Sequence, residues 1–145
     1  MQEKKIGRIE IPRIIRIGGG VYKETGDILE QLDLSRPLIV TDKNLTKIGH
    51  TSKLTDILDG CRIKWGIFDK TIEDPTDTCL IDGIKEFKKQ NYDCVIGFGG
   101  GSSMDLAKAI SAMSANPGHV RDYKAPAQVN KTGVPIILLP TTGGT

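Results

Sequence analysis

The chain has 145 residues, of which 38% are apolar and 26% charged, and its 20 basic and 18 acidic side chains leave a net charge of +2. That length builds one domain with a core of its own. The composition excludes a disordered chain, and the charge balance gives no footprint for nucleic acid or an anionic membrane surface.

No apolar run approaches the roughly 18 residues of a membrane span. Met1-Gln2-Glu3-Lys4-Lys5 leads into no apolar signal core, so a cytoplasmic protein is expected. Cys61, Cys79 and Cys94 are odd in number and far apart, and read as buried, reduced thiols. The 17 glycines are in excess of ordinary usage and cluster.

Strand-like and helix-like stretches alternate along the chain. Arg13–Ile17 is a short β-branched run that reads as a strand ending at Gly18-Gly19-Gly20. Val21, Thr25, Ile28, Leu29 and Leu32 then fall on one helical face. Leu38-Ile39-Val40, after Pro37, closes at Thr41-Asp42, as expected of a strand buried on both faces. Leu45 to Leu58 reads as helix with a break near Gly49, and Gly60 as its C-cap. Arg62–Phe68 is a third strand. Leu80, Ile84 and Phe87 mark the apolar face of a helix ending near Gln90. Cys94–Phe98 is a fourth strand and feeds Gly99-Gly100-Gly101. Leu106, Ile110 and Met113 define the next helix, stopped by Asn116-Pro117-Gly118. A polar loop containing Pro126 leads to a last strand over Val134–Leu139. The alternation predicts βαβ units and an α/β, doubly wound, mostly parallel sheet. The Thr/Gly tail Pro140–Thr145 follows a strand directly, and such a tail ordinarily leads into another element, so the chain reads as interrupted.

The strongest chemical signal is Gly99-Gly100-Gly101-Ser102-Ser103-Met104-Asp105, set between a buried strand and an amphipathic helix. Glycines let a backbone turn sharply and approach a ligand. A helix start offers free N–H groups and partial positive charge to a phosphate. Ser102 is the expected cap, with Asp105 completing an S-x-x-D pattern. The alternative is a tight strand-to-helix turn without a ligand. The triplet is neither a G-x-G-x-x-G fingerprint nor a G-K-[ST] phosphate loop. Gly18-Gly19-Gly20 reads as a structural turn. Asp42 ends a strand on the rim where open α/β sheets bind ligands, and can accept ribose hydroxyls or cap the following helix. Thr141 and Thr142 follow the last strand onto the same rim, where they line a nucleotide site or form a plain polar turn. His50 and His119 lack a ligand-pair spacing, so no metal site is expected and both read as surface residues. Lys108 is expected to pair with Asp105, and Trp65 and Tyr92 to pack in the core or at its rim.

Gly99–Lys108 resembles the G-G-G-S-x-x-D-x-A-K segment of the iron-containing alcohol dehydrogenase family at every defined position. Asn116-Pro117-Gly118 with Asp122-Tyr123 resembles that family's N-P-G-x-x-x-D-Y. Pro140–Thr145 resembles its P-T-T-x-G-T, and Thr41-Asp42 its T-D. The resemblance implies a Rossmann-like NAD(P)-binding domain over residues 1–145, with a helical, metal-binding second domain outside this chain. It implies that Asp42 holds the adenosine ribose and that Gly100, Gly101 and Ser102 cradle the pyrophosphate. Thr141, Thr142 and Thr145 would line the dinucleotide further along. The family often has Asn-Pro-Thr where this chain has Asp74-Pro75-Thr76. Asp74 thus adds a negative charge beside the dinucleotide and bears on the choice of NAD or NADP. NAD is expected over NADP, because Asp42 repels a 2′-phosphate. Iron or zinc is expected only with the second domain, whose ligands are an aspartate and three histidines.

The implied reaction passes a hydride between NAD(P) and a small alcohol or aldehyde, with this chain inactive by itself. The alternative is a stand-alone, non-catalytic nucleotide-binding module from a truncated or split gene. Self-association into a homo-oligomer is expected wherever apolar surface stays uncovered.

Overall fold

A computed structural model describes residues 11–74, 76–123, 129 and 131–142. Four short strands form its sheet: β1 (Pro37–Val40), β2 (Gly66–Phe68), β3 (Cys94–Gly99) and β4 (Ile136–Pro140). Their order is β2-β1-β3-β4 and every pairing is parallel, with Ile39 opposite both Ile67 and Ile96, and Gly97 opposite Leu138. β1 and β3 lie inside the sheet and are buried along their whole length. That is why both read as unbroken apolar runs rather than as alternation.

Successive side chains leave a strand on opposite faces, so each central strand feeds two cores. Leu38, Val40 and Val95 join Leu80, Phe87, Leu106 and Ile110 on one face. Those last four come from α4 (Asp77–Lys89) and α5 (Gly101–Ala115). Ile39, Cys94, Ile96 and Phe98 join Leu29, Leu54 and Leu58 on the other face. That layer belongs to α1 (Thr25–Gln31), which follows a 3-10 turn at Val21–Glu24, and to α3 (His50–Gly60). Each fully buried aliphatic side chain stabilises the fold by about 1.5–3 kcal/mol. A short helix, α2 (Lys43–Lys47), precedes α3, and the predicted break between them falls at Gly49, whose φ is +79°.

Four expectations need correction. Arg13–Ile17 is not a strand: among the described residues no partner pairs with it, and Ile15 and Ile17 are 56% and 93% exposed. β propensity alone makes no strand without a ladder. The third strand is only Gly66–Phe68. Gly60 is the last residue of α3 and not its C-cap, which is Cys61. The chain leaves the helix through Arg62 at φ +58°, with Arg62 N–H donating to Asp59 C=O and Ile63 N–H to Leu58 C=O, both at 2.9 Å. That bond pair closes a Schellman turn, with Leu58 in the second core and Ile63 packed against that core, and it puts the left-handed residue two positions beyond the glycine. Finally, Cys61 is exposed, whereas Cys79 and Cys94 are buried, and all three thiols are free. Pro126 lies outside the described residues.

Candidate functional site

The sheet order decides where a ligand can enter. From β1 the chain crosses to β2 on one side, and from β3 to β4 on the other. The crossovers diverge between β1 and β3, and a crevice opens beyond the carboxyl ends of those two strands. Asp42 follows β1 and the glycine triplet follows β3, so both stand at this switch point.

The three glycines differ in environment. Gly99 ends β3 at φ +146°, and a Cβ built there would lie 2.8 Å from Ser103 Oγ and 3.2 Å from Leu45 Cδ1. Only glycine fits that backbone and that space. Gly100 is the N-cap residue of α5 and offers no side-chain acceptor. Gly101 begins the helix, and a Cβ there would meet nothing within 4 Å. Ser102 is therefore not the cap expected from sequence; it sits one residue inside the helix, too late to reach the first N–H groups. Asp105 completes no capping box either, and pairs with Lys108 at 3.1 Å. No acidic residue occupies the first turn of α5. The helix start thus has no side-chain cap and no acid in its own first turn, and a side chain at Gly101 would meet open space, an arrangement suited to an anion.

The threonine pair reaches the same turn. Thr141 N–H donates to Gly99 C=O at 2.9 Å, and a Cβ at Gly100 would lie 3.8 Å from Thr142 Oγ1. Thr145 lies outside the described residues. Asp42 caps α2: its Oδ1 accepts from the N–H of Asn44 at 2.9 Å and of Leu45 at 3.0 Å. Among the described residues its Oδ2 has no protein partner. The cap and the ligand reading are therefore compatible, because the cap engages one oxygen and leaves the other without a protein partner among the described residues. Leu45, in the capped turn, is the residue that approaches Gly99.

Asp74 is exposed and left-handed at φ +50°, in the loop between β2 and α4. That loop is tied to the end of β1 by Thr71 N–H donating to Thr41 C=O at 3.3 Å and by a bridge between Asp42 and Lys70. No hydrogen bond or ion pair among the described residues joins Asp74 to the other candidates. His50 and His119 are exposed. Among the described residues no three His, Cys, Asp or Glu side chains converge as metal ligands would. The buried thiols of Cys79 and Cys94 are pushed above their usual range by desolvation, so neither is a ready nucleophile.

The described fold has counterparts among known proteins. Residues 12–145 match the family described as iron-containing alcohol dehydrogenase. The chain belongs to that family. It is 38% identical over 135 residues to the NAD-dependent methanol dehydrogenase of Bacillus methanolicus, covering 93% of this chain and 35% of that protein. It is 37% identical over 130 residues to the lactaldehyde reductase of Escherichia coli K12, covering 88% of this chain and 34% of the relative. The sulfoacetaldehyde reductase of Bifidobacterium kashiwanohense, solved in complex with NAD+, superposes with a TM-score of 0.85 at 30% identity, over 97% of this chain and 37% of that one. The chain thus spans about a third of the length of these family members. The doubly wound sheet expected from sequence is the α/β fold of the family's structures.

Gly99, whose positive φ makes the turn, was not picked out from sequence ahead of Gly100 and Gly101. Its signal is its place as the last residue of the buried strand. Leu45 had no signal as a site residue; it enters by packing alone.

Proposed function

We propose that this chain is the NAD-binding part of a metal-dependent oxidoreductase acting on a small alcohol or aldehyde. The observation that carries the reading is the placement, at the same switch point, of an α5 N-terminus without a side-chain cap and of Asp42, whose second oxygen has no protein partner among the described residues. The residues fit a dinucleotide: the space above Gly101 is open, Gly100 carries no side chain, and the helix end is free of acid.

In this reading the pyrophosphate is held by the first N–H groups of α5, from Gly101 and Ser102, beside Gly100. Asp42 Oδ2 accepts a hydroxyl of the adenosine ribose. Thr141 and Thr142 flank the turn, and Thr145 extends that wall. Bound NAD would supply the hydride-carrying nicotinamide. Asp42 favours NAD over NADP, because the Asn44 and Leu45 N–H bonds prevent the carboxylate from turning away from a 2′-phosphate. Asp74 adds to that repulsion from the neighbouring loop. Iron or zinc, and the pocket for the alcohol, belong to residues outside this chain, in a second domain. The free thiols suit a reducing cytoplasm, and the exposed isoleucines favour self-association.

Calorimetric titration of this chain with NAD, NADP and ADP-ribose tests the assignment. NAD and ADP-ribose are expected to bind, with NADP weaker. Silence with all three overturns it.

A further inference from the structure

The N-P-G-x-x-x-D-Y segment has no part in the cofactor cradle described above, yet each of its defined residues has a visible task. Asn116 is buried and binds the far end of the excursion: its Nδ2 donates to Lys131 C=O at 2.7 Å and its Oδ1 accepts from Lys131 N–H at 3.0 Å. Gly118 turns at φ +105°, where a Cβ would lie 2.9 Å from Asp122 Oδ2. That Asp122 oxygen accepts from His119 N–H at 2.8 Å. Tyr123 Oη donates to Pro117 C=O at 2.6 Å and closes the loop. What the closed loop presents are two undefined positions of the motif. Arg121 Nη2 lies 2.6 Å from Asp77 Oδ2, and His119 Nε2 lies 3.6 Å from the same oxygen. His119 Nδ1 accepts from Arg121 N–H at 3.2 Å, which leaves Nε2 as the hydrogen-bearing nitrogen turned to Asp77.

Asp77 is the first residue of α4, three residues beyond Asp74. The other end of the same loop is tied to Thr41 and Asp42. Asp74 thus lies between an anchor on the ribose side of the crevice and an anchor on the Asn116–Tyr123 loop. We propose that Arg121, aided by His119, is a positioning residue that fixes the β2–α4 loop, with Asp74, against the dinucleotide crevice. The inference rests on the cofactor reading above, since it concerns how that site is held open and in register.

The test compares Arg121→Met, which keeps the aliphatic stem without the charge, with Asp77→Asn, their double variant and Arg121→Lys. NAD affinity is read by calorimetry and the unfolding midpoint in urea. Each neutral variant is expected to raise the Kd for NAD by about fivefold, the upper end for a partly exposed ion pair, with the midpoint unchanged. The double variant is expected to be no worse than either single, and Arg121→Lys to bind as the parent does. Unchanged affinity in both singles, additive losses in the double, or an Arg121→Lys variant as weak as Arg121→Met overturns the inference while the cofactor reading stands. Failure of the parent chain to bind NAD overturns both.

Discussion

At the scale of single residues, adjacent glycines carry separable duties. Gly99 is required by the backbone and by Ser103 and Leu45 around it, whereas Gly101 is required only if something occupies the space above it. Gly101→Val is expected to keep the fold, with a urea midpoint close to the parent's, and to abolish NAD binding in a titration. Gly99→Val is expected to destabilise the fold itself by about 2 kcal/mol or more, from left-handed strain together with overpacking. Equal NAD affinity in the Gly101 variant would reduce the triplet to a turn. From sequence the triplet was legible as one unit. Its division of labour was not, because the sign of φ and the free space above a Cα are properties of the folded chain. Asp93 shows the same limit. Burial works against its ionisation, but the N–H groups of Ser35 and Arg36, at 2.7 and 2.9 Å, with the Cys94 thiol and the Ser35 hydroxyl, outweigh it and hold its carboxyl below the usual 3.8. A lowered pKa stabilises the fold above the unfolded value and loses that contribution as pH falls through the folded one. Asp93→Ala is therefore expected to cost about 1 kcal/mol at pH 7, a modest figure because water reaches this half-exposed group. The deficit should vanish in urea titrations run well below pH 3.8. A deficit independent of pH would remove the charge from the explanation.

At the scale of elements, caps decide boundaries, and in the proposed reading one of them also binds the ribose. Asp42 serves α2 through Oδ1, so its replacement mixes a stability effect with a binding effect unless the cap is preserved. Asn retains an acceptor for the Asn44 and Leu45 N–H groups and removes the charge. Asp42→Asn is expected to leave the urea midpoint nearly unchanged while lowering the preference for NAD over NADP by about 1–3 kcal/mol. Asp42→Ala should show the same loss of preference plus about 1 kcal/mol of instability. An Asn variant that still rejects NADP would assign discrimination to Asp74 or elsewhere. The C-terminal caps were the least legible feature of the sequence. Gly60 suggested a stop, but the α3 exit is a Schellman turn that places Arg62 in the left-handed region and carries Ile63 against the core that holds Leu58. α1 ends the same way, with Asp33 at φ +56° and Leu34 N–H donating to Leu29 C=O at 2.9 Å. Glycine relieves left-handed strain at this position. Arg62→Gly is expected to stabilise the fold by about 0.5–1 kcal/mol, read as a rise in the urea midpoint. A fall would mean that the arginine stem packs more favourably than its backbone is strained. Strands β1 and β3, by contrast, were plain in the sequence because they are buried on both faces. Arg13–Ile17 carries β-branched Ile14, Ile15 and Ile17 beside two arginines, but among the described residues no strand pairs with it, and a linear pattern does not encode the neighbour.

At the scale of the whole molecule, the described residues would form one wall of the proposed site. The glycine turn, Asp42 and the threonine pair are all carried on the carboxyl rim of one sheet. Leu138 of the edge strand β4 is exposed, as are Ile72 in the loop before α4 and Ile81 of α4. Oxidising an alcohol needs more than this wall. The hydroxyl proton must leave, and the developing alkoxide must be stabilised by preorganised charge in a site closed to water. The family's aspartate-and-three-histidine ligand set has no match here: the chain has two histidines. His50 begins α3, and His119 is turned to Asp77 by its own loop. The two do not converge with a third ligand among the described residues. The chain alone is therefore expected to bind NAD yet to give no turnover with short alcohols or with aldehydes and NADH, whether Fe²⁺ or Zn²⁺ is added or not. The check is an absorbance assay of nicotinamide reduction with alcohols and of its oxidation with aldehydes, on chain purified free of host dehydrogenases, with Gly101→Val as a control. Metal-dependent turnover that disappears in the Gly101 variant would belong to this chain. It would show that these 145 residues assemble a metal site of their own. Turnover that persists in the variant would mark a contaminant, because it would not pass through the glycine turn.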